Sequence, residues 1–305
     1  ALAAYAEVFP LETVLDLVFQ RGSTMHSLVP RDENGRSNYR MGALRPNQFG
    51  VDDAHVVEYV DSIAQASGEF LQIVNFNLAG QQYAVAGTVA GLKALEEDAT
   101  KRAAERGGKR PFMYVPGIDV PFHSTVLRSG VADFRTKLDE RIPAEIDPAK
   151  LVGRYIPNLV ARPFELTREF AQSILDVVPS DTVRHLLETE GAWDGALANP
   201  GVLTRTLLIE LLCWQFASPV RWIETQRVLL STEEAAPGVA GLGVDQVIEV
   251  GLGAAPTLAN LAARTLLAPE FALSRVDVFN VQRDESRVYA TDVAVIEDEE
   301  DEEIT

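Results

Sequence analysis

From Leu11 to Gln20 the apolar positions Leu11, Val14, Leu15, Leu17, Val18 and Phe19 mark one buried helix, with Gly22 as its C′ residue and Arg21 as its end. Arg31 to Asn38 is polar and turn-rich and reads as a loop. Tyr39 to Leu44 predicts a strand, Asp52 to Ala66 an amphipathic helix with Asp52 near its start, and Phe70 to Asn77 and Gln82 to Ala86 two strands joined through Ala79-Gly80. Val89 to Arg106 follows as a helix charged on one face, then Phe112 to Val115 as a strand after Gly107-Gly108.

The order β-α-β-β-α-β is the split βαβ pattern of a ferredoxin-like subdomain. After it come a helix from Val126 to Arg141, a Pro-flanked strand at Tyr155 to Val160, and helices at Thr167 to Val178, Val202 to Ala217 and Val220 to Leu230. A strand at Gln246 to Val250 runs into Gly251-Leu252-Gly253, followed by a helix from Pro256 to Leu267 and a last strand at Arg275 to Val281. Alternating strands and helices of this kind predict an α/β fold with a mostly parallel sheet covered on both faces. The expected layout is an α/β core from residues 1–36 and 119–295, an inserted subdomain at 37–118, and a tail at 296–305.

An apolar fraction of 47% over 305 residues can fill a proper core. A net charge of −18 argues against binding a phosphate backbone or an anionic membrane. Part of that charge is local, in Glu297-Asp298-Glu299-Glu300-Asp301-Glu302-Glu303, which reads as a solvated linker. The lone Cys213 excludes an internal disulfide and fits a reducing, cytoplasmic setting. No CxxC, HExxH or paired His/Asp set points to a metal, and charge interrupts every apolar run before it could span a bilayer. No signal peptide is visible. Ala1 to Ala6 reads as helix interior with neither initiator Met nor N-cap, so the chain is expected to begin inside a domain.

The candidate chemistry centres on Val120-Pro121-Phe122-His123-Ser124-Thr125. Pro121 fixes its own φ and biases Val120 toward extended backbone, which puts His123 where strand gives way to helix, a common address for a base. The competing reading is a packed or capping histidine. Arg21 has two readings as well: a cation answering a helix dipole, or an arginine aimed into a site.

Arg21-Gly22-Ser23-Thr24-Met25, Gly35-Arg36-Ser37-Asn38-Tyr39, Asn75-Phe76-Asn77 with Gln81-Gln82-Tyr83, Val120 to Ser124, Tyr155-Ile156-Pro157-Asn158-Leu159, Ser218-Pro219-Val220-Arg221-Trp222 and Glu249 to Gly253 stand in one order along nearly the whole chain. In that order they resemble the malonyl/palmitoyl transferase domain of type I fatty acid synthases of the bacterial and fungal kind. The resemblance implies an α/β-hydrolase-like core and ping-pong transfer of malonyl, and of long acyl groups, from coenzyme A through a serine to the phosphopantetheine thiol of a carrier domain. His123 would be the base and Arg21 the grip on the malonyl carboxylate. The backbone carbonyl of Gln215 would orient the histidine. Asn75 and Asn77 would line the site, or equally cap turns. The resemblance also implies acyl carrier protein and sibling catalytic domains as partners within a large homo-oligomer. It implies no nucleic acid or membrane partner, and no cofactor held by this segment.

One departure stands out: no G-H-S-x-G or G-x-S-x-G elbow occurs. The resemblance places that elbow directly before a helix like Ala1 to Ala6, so the nucleophile is expected to precede residue 1, and the chain alone to be inactive. Two alternatives remain at this stage, a non-catalytic docking domain with a transferase fold and a thioesterase. For the thioesterase, Arg21 would have no task with an uncharged acyl group.

Overall fold

A computed structural model of the chain describes residues 7–251 and 257–289. The segments read as helix interior at Ala1–Ala6, as Leu252-Gly253 and as the acidic tail lie outside the described residues. The chain divides into two compact units, Ala1–Thr225 and Gln226–Thr305.

Pro10, with φ −56°, leads into helix α1 (Leu11–Ser27). Contrary to expectation, α1 runs through Gly22 and ends near Pro30, which disfavours helical backbone at Val29. Arg21 therefore lies well before the last turn, where His26 is the basic residue, and the dipole reading of Arg21 loses its geometry. The helix is not buried all round either: Val14 and Leu17 face the core, while Leu11, Leu15, Val18 and Phe19 are exposed. Its apolar residues spread over more than one stripe, and only one side meets the described core.

Strands β1 (Tyr39–Leu44), β2 (Leu71–Leu78), β3 (Gln82–Thr88) and β4 (Phe112–Tyr114) form an antiparallel sheet in the order β2-β3-β1-β4. Helices α2 (Val56–Ser67) and α3 (Val89–Arg106) begin and end where local chemistry directs. Asp52 accepts the His55 N–H ahead of α2, Thr88 caps α3 by accepting from Gly91 N at 3.1 Å, and Gly68 and Gly107 close the two helices in left-handed conformation. Val60, Leu92, Leu95 and Ala99 pack with Leu44, Tyr83 and Val85 into one core. The small cluster Met41, Val74 and Ala86 takes Phe122 against it. Beyond β2, Val220 N donates to Val74 O at 2.8 Å and Phe76 N donates to Val220 O at 3.0 Å, a parallel bridge that extends the sheet by one residue.

The rest of this unit is helical: α4 (Val131–Arg141), α5 (Arg168–Leu175), α6 (Asp181–Glu188), α7 (Ala192–Leu197) and α8 (Pro200–Gln215), with α9 (Trp222–Leu230) following. Helix α8 buries Leu203, Leu207, Leu208, Leu211, Cys213 and Trp214 and so forms the axis of the larger core. The segment read as one helix from Val126 opens as a 3₁₀ turn, Thr125–Gly130, before α4. Tyr155 to Val160 is not a strand. Pro157 and Pro163 restrict it, Val160 N and Ala161 N both donate back to Pro157 O, and Ala161 takes φ +50°.

Within Gln226–Thr305, β5 (Glu234–Ala236) pairs β6 (Val239–Ala240), and β7 (Gln246–Glu249) pairs β8 (Asp277–Asn280) in parallel. Helix α10 (Leu258–Thr265) lies between them in sequence and α11 (Glu285–Val288) comes last. The Glu249 carboxylate accepts N–H bonds from Thr257, Leu258 and Ala259 at 3.0–3.1 Å and so answers the start of α10. The mostly parallel core predicted from the sequence is thus corrected. Among the described residues the one parallel ladder is β7–β8, because the stretch from residue 131 to 215 folds as helices and turns rather than as crossover strands.

Candidate active site

His123 occupies a loop between β4 and the 3₁₀ turn, not the end of a strand. Phe122 N donates to Val120 O at 2.9 Å, and His123 then takes φ +61°, a left-handed backbone that costs a non-glycine residue about 1–2 kcal/mol. Its neighbours hold it there. His123 N donates to Phe216 O at 2.9 Å, Ser124 Oγ donates to Pro121 O at 2.6 Å, and Thr125 N and Oγ1 both donate to Gln72 Oε1 on β2. The antiparallel sheet thus steadies the loop from one side and the end of α8 from the other.

The ring is held through Nδ1, 2.9 Å from Gln215 O. A carbonyl can only accept, so Nδ1 carries the proton and Nε2 keeps its lone pair. Burial pushes the imidazole down to about 4, carbonyl contacts from Gln215 and Ser218 resist this, and the Arg21 charge presses it lower. At neutral pH the ring is therefore uncharged and able to take a proton at Nε2. Ser124, the adjacent hydroxyl, is fully buried and already donates to Pro121 O, so it is not presented as a nucleophile.

Arg21 and Gln215 stand together at the wall of a cavity of about 330 Å³ whose other lining includes Phe9, Leu17, Leu138, Tyr155 and Leu208. Burial lowers the Arg21 pKa, and its Nε is buried without a hydrogen-bond partner. A permanently charged fork with an unused donor beside an apolar hollow suits an anionic group carried on an organic chain. Burial also pushes the Tyr155 phenol up to about 12, which keeps it neutral. Asn75 and Asn77 lie inside β2, and neither lines this cavity. Asn75 instead sits at the bridge to Val220. The carbonyl of Phe216 and the side chain of Tyr155 were not singled out from the sequence. A backbone acceptor leaves no residue-type signal, whereas Tyr155 does leave one, as the first residue of Tyr155-Ile156-Pro157-Asn158-Leu159. No group of His, Cys, Asp and Glu able to hold a metal occurs among the described residues, and none of their helices is long and apolar enough to cross a membrane.

No family model matches the chain. It is 40% identical over 304 residues to fatty acid synthase 2 of Mycosarcoma maydis, covering 88% of this chain and 8% of that protein. With the fatty acid synthase subunit beta of Saccharomyces cerevisiae it shares 34% identity over 230 residues, 62% of this chain and 11% of that one. The chain thus spans about a tenth of the length of these relatives. Among solved structures, FabD from Acinetobacter baumannii matches with a TM-score of 0.59 at 20% identity, over 94% of this chain and 66% of that one. The acyl-carrier-protein S-malonyltransferase of Burkholderia pseudomallei matches at 0.56 and 24% identity, over 92% and 65%. A malonyl-transacylase solved with the acyl-carrier protein of a type II polyketide synthase matches at 0.54 and 17% identity, over 90% and 64%. By sequence the chain is related to a segment of the fungal-type fatty acid synthases, and its mixed α/β fold is that of the malonyl-CoA:acyl-carrier-protein transacylases.

Proposed function

We propose that this chain is the histidine-bearing part of an acyltransferase in a fungal-type fatty acid synthase, moving malonyl and long-chain acyl groups between coenzyme A and the phosphopantetheine thiol of an acyl carrier protein. The observation that carries the proposal is the neutral imidazole of His123, its Nδ1–H given to Gln215 O, with Arg21 close enough to depress it. A hydroxyl brought to Nε2 would attack the thioester carbonyl while Nε2 takes its proton; collapse of the adduct breaks the C–S bond, and the same proton leaves with the coenzyme A thiol. The carrier thiol then repeats the sequence in reverse. Ser124 is committed to Pro121 O and would not be that hydroxyl.

Arg21 would hold the free malonyl carboxylate at the mouth of the cavity, and the apolar walls would take a chain without one. Asn75 would act through its place opposite Val220 at the edge of β2 rather than by touching substrate. We assign residues 37–118 to a ferredoxin-like subdomain, supported by the order β2-β3-β1-β4 and by a core shared with α2 and α3. Residues 1–36 and 119–295 would then build the α/β-hydrolase-like core, and 296–305 a linker, within a larger homo-oligomeric synthase. The carrier domain as partner is supported by the polyketide-synthase complex of the same fold.

The test is intact-mass or peptide mass spectrometry of the synthase that contains this segment, incubated with malonyl-coenzyme A. A malonyl adduct should form, and His123→Ala should slow its formation by about two to four orders of magnitude. Undiminished adduct in His123→Ala would remove His123 from the reaction.

A further inference from the structure

Glu210 is the one acidic residue of α8 and is only 1% exposed. Its carboxylate accepts from Arg135 Nε at 2.6 Å, Arg135 Nη2 at 2.9 Å, Ser180 Oγ at 2.7 Å and Trp214 Nε1 at 3.2 Å. These donors come from different places: Arg135 from α4, Ser180 from the N-cap of α6, and Trp214 from one turn farther along α8. A carboxylate taken this far from water is costly unless its oxygens are fully met, and a well-packed apolar side chain would fill the same place without that cost. What the carboxylate adds to packing is direction, because its donors fix how the end of α8 is turned.

That end is what holds the imidazole. Trp214 is followed by Gln215 and Phe216, whose carbonyls accept from Nδ1 and from the backbone N–H of His123, each at 2.9 Å. Helix α4 grips this turn twice, through Arg135 on Glu210 and through Phe134, whose ring meets Phe216 edge-on at 5.6 Å. A left-handed histidine persists only where its surroundings over-determine it.

We propose that Glu210 is a positioning residue for His123: with Arg135, Ser180 and Trp214 it clamps the last turn of α8, so that the carbonyls of Gln215 and Phe216 hold the imidazole in one tautomer and one orientation. The catalytic consequence rests on reading His123 as the base; the clamp itself does not.

The chain has four histidines, so the His123 ring can be followed by NMR and assigned through His123→Asn. Its titration midpoint should lie near 4. Glu210→Gln turns an amide donor toward the donors that the carboxylate received. The expected result is a ring let out toward water, with its midpoint raised by about one pH unit or more and its Nδ1–H signal lost to exchange. Trp214→Phe removes one donor while keeping an aromatic ring, and should move the midpoint the same way by less; it decides the matter if Glu210→Gln does not fold. Arg21, the charged group that faces the ring, is untouched in both variants. An unchanged midpoint and a retained Nδ1–H signal in folded variants, with only the unfolding free energy lowered, would overturn the proposal. The readout is separate from acyl transfer: a synthase still active as His123→Ala would end the base reading and leave the titration result standing.

Discussion

Replacing His123 by Asn should flatten the acid side of the stability profile of the unit that contains it. Burial holds the folded imidazole at about 4 against 6.5 in an unfolded chain. Between those values the unfolded chain binds a proton that the folded chain refuses, so stability present above pH 6.5 is lost progressively as pH falls toward 4. At 1.36 kcal/mol per unit the gap sets a ceiling of about 3 kcal/mol, and screening of a part-exposed ring reduces this to about 2 kcal/mol. Asn tolerates a left-handed φ and can still donate an N–H toward Gln215 O, but it does not titrate. All three tryptophans, Trp193, Trp214 and Trp222, lie within Ala1–Thr225, so fluorescence during urea unfolding follows the right unit. Measured from pH 7 down to about 4.5, the variant should lose about 2 kcal/mol less than the parent. His55, raised by its exposed partner Asp52, has the opposite slope, losing stability as pH rises, but it is common to both proteins and cancels. Parallel profiles would refute the account of a buried neutral imidazole.

In the synthase, Arg21→Ala should lower kcat/KM for malonyl transfer by about two orders of magnitude, roughly 3 kcal/mol, and spare long-chain transfer; equal loss for both, read by competing acyl-coenzyme A substrates, would count against a carboxylate grip. The acid limb of kcat/KM should lie near pH 4 rather than 6.5, because the base must be unprotonated to act. Gly22→Ala should raise stability by about 0.5–1 kcal/mol in chemical unfolding, since Gly22 is inside α1 and an added Cβ meets nothing within 4 Å. Gly108→Ala should cost about 1–3 kcal/mol or more by the same measurement, because its Cβ would collide with the backbone carbonyl of Gln48, which no rotamer change relieves.

The antiparallel layer was legible because its signals are local. Gly68, Gly80 and Gly107 take left-handed turns, and Val89–Arg106 carries a period that no tertiary contact had to override. Where the reading failed, a local signal competed with another. Gly22 resembled a C-cap, but the effective stop was Pro30. Tyr155 to Val160 had the composition of a strand, but its prolines made it a turn. The parallel core was inferred from alternation alone, which cannot say which strands become neighbours. At the site, His123 could be picked out from the sequence, but not its place in a loop, its φ of +61° or the carbonyl of Phe216 beneath it. Glu210 did leave a mark, a lone acid in the apolar run Leu207-Leu208-Ile209-Glu210-Leu211-Leu212.

The bridge at Val220 ties the histidine to the solubility of the chain. A sheet edge with unpaired N–H and C=O groups is a template for other chains, and β2 is the longer edge here, β4 having only three residues. Val220 occupies the middle of that edge, between Val74 and Phe76, and it lies in the same short stretch as the two carbonyls that hold His123. Slippage of this stretch would unseat the imidazole and bare the β2 edge in one event, so on heating the loss of the His123 Nδ1–H signal and the onset of clumping should share a single threshold.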